Sequence, residues 1–255
     1  MSEPSVLSWL ILLGAAVVGG AANALAGGGT FLTFPALLLA GVPPVVSNAT
    51  SSFVLNPAGY ASTWVYRDRL IHGWGFQIAM VAVAMLGALA GSELLLHTSE
   101  RSFERLVPYL MLAATLIFTL SGWMRRAASS HAATSTHVFA LLAGQFGVAV
   151  YGGYFGAGMG VLTLVLYTVA ANMDVHEASG LRLLCGTLTN TVAIVLFAVR
   201  GIIVWSLGLP MMLACIAGGY WGAKLVKRMD AEKARRTILI YAWTITAWLF
   251  IRSLR

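Results

Sequence analysis

Residues 26–52 read AGGGTFLTFPALLLAGVPPVVSNATSS: a glycine triplet, a short apolar run interrupted by proline, then a cluster of small hydroxyl and amide residues. In a soluble protein this would be a turn and a buried strand. The surrounding chain excludes that reading. Of 255 residues, 59% are hydrophobic and 10% charged, and the mean hydropathy is +0.83, against roughly 45–50% apolar and about 25% charged in ordinary soluble domains. The stretch is therefore a break within membrane-spanning structure, and the expected fold class is an all-α polytopic membrane protein.

A helix needs about 20 residues to cross a hydrocarbon core of ~30 Å. On that measure the first span runs from about Val6 to Ala26 and breaks at Gly27-Gly28-Gly29. Phe31 to Ala40 is too short to cross alone and is expected to be a half-helix or re-entrant arm. Spans follow near Ser47–Tyr66, Trp74–Leu96 and Phe103–Trp123, and a polar linker occupies 124–136. The pattern then recurs: a span at His137–Phe155, the run GAGMG at 156–160, an arm to about Ala171, and spans near Glu177–Val199, Trp205–Gly222 and Ile238–Ile251. The expectation is one membrane transporter domain over residues 1–255 with about 7–8 transmembrane segments, a first repeat near 6–123 and a second near 137–252. The first span lacks a preceding basic region and an A-x-A-like cleavage site, so it reads as a retained segment rather than a secretory signal.

The recurrence has a constant offset of 131 residues: Ala26, Gly27 and Gly29 meet Ala157, Gly158 and Gly160; Arg69, Ile71 and Trp74 meet Arg200, Ile202 and Trp205; Gly87, Gly91 and Leu94 meet Gly218, Gly222 and Leu225. Shared Gly, Arg and Trp at one offset indicate internal duplication. The excess of basic residues in cytoplasmic loops tests its sense. Inverted halves put ten basic residues on one face (Arg67, Arg69, Arg125, Arg126, Lys224, Lys227, Arg228, Lys233, Arg235, Arg236) against five on the other (Arg101, Arg105, Arg200, Arg252, Arg255). Parallel halves give eight against seven. Inverted-topology repeats, each with a glycine-broken helix or re-entrant hairpin, are expected, with both termini outside.

A helix broken at membrane depth leaves backbone N–H and C=O groups that hydrocarbon cannot satisfy, so the break must be buried in protein or line a wet cavity. In transporters built from inverted repeats, paired breaks point to a midplane site with half-helix N-termini aimed at anionic groups. Gly28, Gly29 and Thr30 in the first half and Gly158 and Gly160 in the second are therefore candidate substrate-binding residues. Gly14, Gly19, Gly20, Gly87, Gly91, Gly218 and Gly222 suit close helix packing instead. After each arm comes a second element, SNATSS at 47–52 and EASGLR at 177–182, in which Ser51 falls opposite Arg182, so that the two are expected to meet across a pseudo-two-fold axis. Arg182 lies well inside a span, where a charge is costly enough to mark function, and a guanidinium fork suits carboxylate, phosphate or sulfonate oxygens. The alternative is a structural partnership with Asp174 or Glu177. Thr50 and Ser51 can add neutral donors, and Asn23, Asn56 and Asn190, with Thr187 and Thr189, are further polar residues of apolar spans. Glu93 and Lys224 end their spans, where snorkelling is the ordinary explanation.

The remaining chemistry is sparse. Cys185 and Cys215 lie in apolar segments and read as small hydrophobes. The five histidines form no metal or nucleophile constellation. No catalytic site, metal or cofactor is expected. The net charge of +7 lies in short interhelical clusters rather than a basic groove, so nucleic acid is not an expected partner. The expected partners are a small anionic substrate and the lipid bilayer, with a homodimer left open.

GGGTFLTFP followed by NATSS, repeated as GAGMGVLTL with EASGLR, resembles the TauE/SafE family of sulfite and organosulfonate exporters over essentially the whole chain. The resemblance implies a small carrier of two related halves that moves sulfite or small sulfonates across the bacterial inner membrane. Met159 departs from the family's glycine run, Leu166 stands opposite Pro35, and Gly180-Leu181-Arg182 replaces the small-Gly-Thr frequent in the family's second half. The added arginine strengthens the case for an anion.

Direction follows from the membrane potential. Moving one negative charge out of a cell with a negative interior gains ~2.3 kcal/mol per 100 mV, so export needs no coupling ion. The expected function is export of a sulfur-containing anion by rocking of two halves around a central site. The alternatives are a coupled importer using Asp174 and Glu177, a passive channel, or a non-transport assembly factor.

Overall fold

The computed structural model describes residues 5–26, 28–69, 73–128, 138–226 and 231–253. They form the helices α1 (Val6–Ala26), α2 (Thr30–Leu39), α3 (Pro44–Val65), α4 (Trp74–Leu96), α5 (Glu100–Ala128), α6 (Val138–Tyr154), α7 (Met159–Ala170), α8 (Val175–Val199), α9 (Trp205–Val226) and α10 (Ala231–Ser253), with a 3-10 turn at Arg67–Arg69. Gly27, His72, His131, His137, Lys227, Arg228 and Arg255 lie outside the described residues, as do the side chains of Arg69, Arg125, Arg126, Lys224, Lys233, Arg235 and Arg252 and the surroundings of Gly222.

Hydropathy located the helices closely and their polar ends less well. Helix α3 begins at Pro44, three residues before Ser47, because proline at the first helical position loses no needed N–H and already has helical φ. Helix α5 continues to Ala128, so the first residues of the expected linker are helical; Met, Arg and Ala propagate a helix well even where they leave hydrocarbon. Helices α1, α4, α5 and α8 contain segments long and apolar enough to cross a bilayer. Helices α2 and α7 have 10 and 12 residues, about 15–18 Å at 1.5 Å per residue, or half the hydrocarbon core.

Each short helix folds back antiparallel on the helix before it. In the first half a Cβ on Gly19 would meet Thr33 Cγ2 at 3.0 Å, while Leu12 and Leu37 share one core cluster farther along. In the second, Gly152 faces Met159, Gly144 faces Leu166, and Tyr167 Oη donates to Gln145 Oε1 at 2.7 Å. Both glycine breaks thus close helical hairpins.

The halves interlock through α1 on α9 and α6 on α4. A Cβ on Gly20 would stand on the Cys215 carbonyl, one on Gly218 on the Val17 carbonyl, and one on Gly91 on the Val150 carbonyl. Only glycine lets these backbones touch. Gly14 has open space at its Cβ position and takes no part. Helices α5 and α10, counterparts at the offset of 131, pack antiparallel: Tyr109 meets Phe250 edge-on at 5.4 Å, Thr115 Oγ1 lies 3.1 Å from Thr246 Oγ1, and Trp243 Nε1 donates to Thr119 Oγ1 at 3.2 Å. Helices α3 and α8 do likewise, through Tyr60 with Thr191 and Thr63 with Thr187. Glu93 does not simply snorkel: its Oε2 lies 3.6 Å from Arg200 Nη2 and 3.7 Å from His97 Nδ1, linking the ends of α4 and α8 at a half-exposed pair of small energetic weight.

The polarity pattern is that of a lipid-embedded bundle. Val6, Leu10, Trp74, Leu86, Val199 and Leu213 are exposed, whereas Ser47, Asn48, Thr50, Ser51, Gln145 and Thr189 are buried. Apolar surface outside and polar side chains inside suit hydrocarbon as the surrounding medium.

Candidate functional site

The first break is a packing device. Gly29 has ordinary right-handed φ of −60° as the residue before α2, yet a Cβ there would lie 2.5 Å from Leu55 Cδ2, 2.7 Å from the Gly19 carbonyl and 3.1 Å from Asn23 Cβ. Asn23 thus stands beside the break. Gly28 is buried and Thr30, the first residue of α2, is half-buried. The Phe31 and Leu32 N–H groups donate to Gly28 and Gly29 carbonyls within the turn, so these two amides are committed locally.

The hydroxyls of Ser47, Thr50 and Ser51 in the first polar cluster are also engaged. Thr33 Oγ1 donates to the Gly29 carbonyl at 3.2 Å, and Ser51 Oγ lies 2.6 Å from Thr33 Oγ1. Thr50 Oγ1 accepts from the Val204 N–H at 3.2 Å, tying α3 to the segment before α9. Ser47 Oγ donates to the Val42 carbonyl at 3.0 Å. Asn48 reaches into the other half: its Nδ2 donates to the Tyr154 carbonyl at 3.1 Å, capping the end of α6 where the second break begins. Ser92 Oγ donates to the neighbouring Gly153 carbonyl at 3.3 Å, and Tyr151 Oη to the Ala157 carbonyl at 2.6 Å. The Gly153, Tyr154 and Ala157 carbonyls at that break are thereby satisfied within protein.

The second break is built differently. Gly156 and Gly158 have φ of 78° and 76°, in the left-handed region that side-chain-bearing residues avoid. Met159 N–H donates to Gly156, and Val161 and Leu162 N–H groups to Gly158. Arg182 comes to this break: its Nη1 lies 2.6 Å from where a Cβ on Gly160 would be. Gly160 therefore leaves the space the guanidinium occupies, and an arginine on α8 is held against the N-terminal turn of α7. Asp174 is exposed and caps α8, accepting from the His176 N–H at 2.9 Å.

Met159, which departs from the glycine run, is accommodated by a reciprocal change. Its side chain packs on Gly152 and stands 3.3 Å from a Cβ position on Gly186. Their first-half counterparts at the offset of 131 are Gly28 for Met159 and Leu55 for Gly186. Bulk carried by the spanning helix in one half is carried by the break in the other.

Ser51 and Arg182 do not form the expected pair. Each packs on its own half's short helix, Ser51 on Thr33 and Arg182 at Gly160. The counterparts that touch are Tyr60 and Thr191, with hydroxyls 2.7 Å apart, and Thr115 and Thr246; α3 crosses α8 about two and a half turns beyond Ser51, at 3.6 residues per turn. Asn56 belongs to this crossing, its Nδ2 donating to Thr191 Oγ1 at 3.2 Å. Asn190 is half-buried on α8. Two polar groups escaped the sequence reading as site candidates. Gln145 stands opposite Gly14, and Tyr167, which bonds it, opposite Ala36. Comparing the halves position by position for polar replacements would have found both.

A model of the sulfite exporter TauE/SafE family matches residues 12–249. The chain belongs to the TauE/SafE family. A "Probable membrane transporter protein" of Haemophilus influenzae is similar to it at 27% identity over 230 residues, 88% of each chain. YfcA of Escherichia coli K12, named a probable membrane transporter, is 24% identical over 253 residues, 99% of this chain and 93% of its own. A Sinorhizobium relative, ORF9, named likewise, is 27% identical over 240 residues, 94% of this chain and 90% of its own. No solved structure matches. As a TauE/SafE member with apolar helices long enough to span a bilayer, the chain is a multi-pass membrane protein of a transporter family, and both the family and these relatives are named for transport rather than catalysis. The resemblance noted from GGGTFLTFP, NATSS, GAGMG and EASGLR is thus shown over nearly the whole chain.

Proposed function

We propose that this protein exports a small sulfur-containing anion, sulfite or an organosulfonate, across the bacterial inner membrane by alternating access. Two inverted repeats, residues 6–123 and 137–252, rock about the crossings of α3 with α8 and α5 with α10. The observation that carries the reading is Arg182 held against Gly160, a fixed positive charge beside a broken helix within the membrane region. An intramembrane arginine is expensive and is kept for a partner or a ligand, and a guanidinium beside a half-helix N-terminus favours oxygen anions through both hydrogen bonds and the helix dipole. Gly158 sets the turn that presents α7 to Arg182. The antiparallel pairing of counterpart helices supports inversion, and the excess of basic residues on the Arg67 face supports placing that face in the cytoplasm.

Export rather than coupled uptake is favoured because Asp174, one of the two carboxylates beside the second break, is exposed and engaged as a helix cap. In proteoliposomes, an inside-negative potential should accelerate outward sulfite flux; indifference or slowing would argue for a coupled or electroneutral carrier. The anion is found by a thermal-shift screen against sulfite, sulfoacetate, taurine, thiosulfate, sulfate and carboxylates, in which a sulfur oxyanion should give the largest stabilisation.

A further inference from the structure

The two halves share a backbone plan but not a polar lining. Along the wall formed by α6, α7 and α8 lie Gln145, Tyr167, Arg182, Cys185 and Thr189; their counterparts at the offset of 131 are Gly14, Ala36, Ser51, Val54 and Ala58. Four of the five replacements put a group that can donate a hydrogen bond to oxygen, or a charge, where the first half has a glycine, an aliphatic side chain or a small hydroxyl. The residues are continuous in space. Gln145 bonds Tyr167, Tyr167 and Cys185 share one core cluster, and Cys185 stands one turn from both Arg182 and Thr189 on α8. Thr189 Cγ2 lies 3.3 Å from a Cβ position on Gly152, two turns along α6 from Gln145.

The two halves also differ in what their polar atoms do. In the first half Ser47, Thr50 and Ser51 are hydrogen-bonded within the fold. In the second, Gln145 Nε2 and Thr189 Oγ1 are buried, both residues being 0% exposed, and neither atom has a hydrogen-bond partner. A buried donor left unmade costs about 1–3 kcal/mol, which an acceptor oxygen of a bound ligand would recover. The other unbonded buried amide atoms, Asn48 Oδ1 and Asn56 Oδ1, are carbonyl oxygens, which accept only and repel an anion. Tyr167 donating to Gln145 Oε1 fixes the orientation of that amide and leaves the donating end for a ligand.

Resting on the transport reading above, we infer that the oxyanion is bound within the α6–α7–α8 wall of the second half rather than shared equally between the halves. There Gln145 Nε2 and Thr189 Oγ1 are neutral donors to the anion that Arg182 attracts. The ligand chemistry is a small oxyanion with several acceptor oxygens, and the first-half SNATSS cluster serves packing.

The test compares Thr189→Val, which keeps shape and removes the hydroxyl, with Gln145→Glu, which keeps the acceptor for Tyr167 and removes the Nε2 donor, and with Ser51→Ala as a first-half control. Each purified full-length variant is assayed for sulfite-dependent thermal shift and sulfite flux in proteoliposomes, or for the anion of the screen with the largest shift. Thr189→Val and Gln145→Glu should each raise the half-saturating anion concentration about tenfold or more, with Thr189→Val leaving the ligand-free melting temperature unchanged or higher; Ser51→Ala should lower the melting temperature without changing half-saturation. Wild-type half-saturation in both second-half variants, with flux still lost in Arg182→Ala, would overturn this inference and leave the transport reading standing. A fall in ligand-free melting temperature in Thr189→Val with unchanged half-saturation would show a structural hydroxyl and overturn it as well. Normal flux in Arg182→Ala, or no response of the wild type to any anion, would overturn the transport reading itself.

Discussion

Thr115 and Thr246 are separated by 131 residues and their hydroxyls lie 3.1 Å apart in the buried contact of α5 with α10. Contact between residues at the repeat offset is what a two-fold axis relating the halves would produce. Tyr60 and Thr191, also 131 apart, mark a second point. If the halves rock about this axis, contacts on it persist through the cycle. Thr115→Cys with Thr246→Cys, in a background with Cys185 and Cys215 replaced by alanine, should cross-link on mild oxidation and keep most sulfite flux. Glu93→Cys with Arg200→Cys, off the axis, should lose flux when joined by a bifunctional thiol reagent. Flux loss from the first cross-link would place the pivot elsewhere.

The interlock of the halves depends on glycine at points of backbone contact. Gly91→Ala and Gly218→Ala each place a methyl on a carbonyl of the opposing helix and should destabilise by about 2 kcal/mol or more, within the range for overpacking. Gly14→Ala, with open space around it, should be neutral or stabilising by about 0.5–1 kcal/mol from helix propensity. Melting temperatures of purified variants decide both; a loss at Gly14 equal to that at Gly91 would contradict the packing described.

Met159 and Gly186 exchange bulk with Gly28 and Leu55. Gly186→Leu alone should overpack the space beside Met159 and cost about 1–3 kcal/mol. Adding Met159→Gly restores the first-half arrangement and should recover at least about 1 kcal/mol, a coupling typical of residues in contact. Additive effects in the double-mutant cycle would show that the two sites do not share that volume.

The positions of the spans, the short arms and the offset were legible in the sequence because they depend on apolar length and glycine, which are local. The pairing of counterparts was not, because helix crossing decides it: Ser51 and Arg182 are equivalent in number, yet α3 and α8 meet at Tyr60 and Thr191. Nor could composition separate hydroxyls used in packing, such as Thr50 bonded to the Val204 N–H, from those left unbonded, such as Thr189. Gln145 is not legible as a site residue because a single amide in an apolar span looks incidental until Gly14 is set beside it.

Asn48 joins the halves at the second break by donating to the Tyr154 carbonyl. Asn48→Asp keeps the shape and replaces the donor with an acceptor facing a carbonyl, leaving buried oxygens opposed. A loss of about 2–4 kcal/mol is expected, in the range for breaking a buried polar contact, and should appear as reduced membrane abundance and a lower melting temperature. Unchanged stability would mean that this cap does not hold the break.

The central claim is that Arg182, held against Gly160, carries the anion. Sulfite efflux from proteoliposomes containing Arg182→Ala, beside wild type and Arg182→Lys at matched protein content, tests it most directly. Flux should fall at least about a hundredfold in Arg182→Ala, about 2.8 kcal/mol at 1.4 kcal/mol per tenfold. Arg182→Lys should recover part of it, because lysine keeps the charge and loses the planar fork. Wild-type flux in a folded Arg182→Ala protein would contradict the claim.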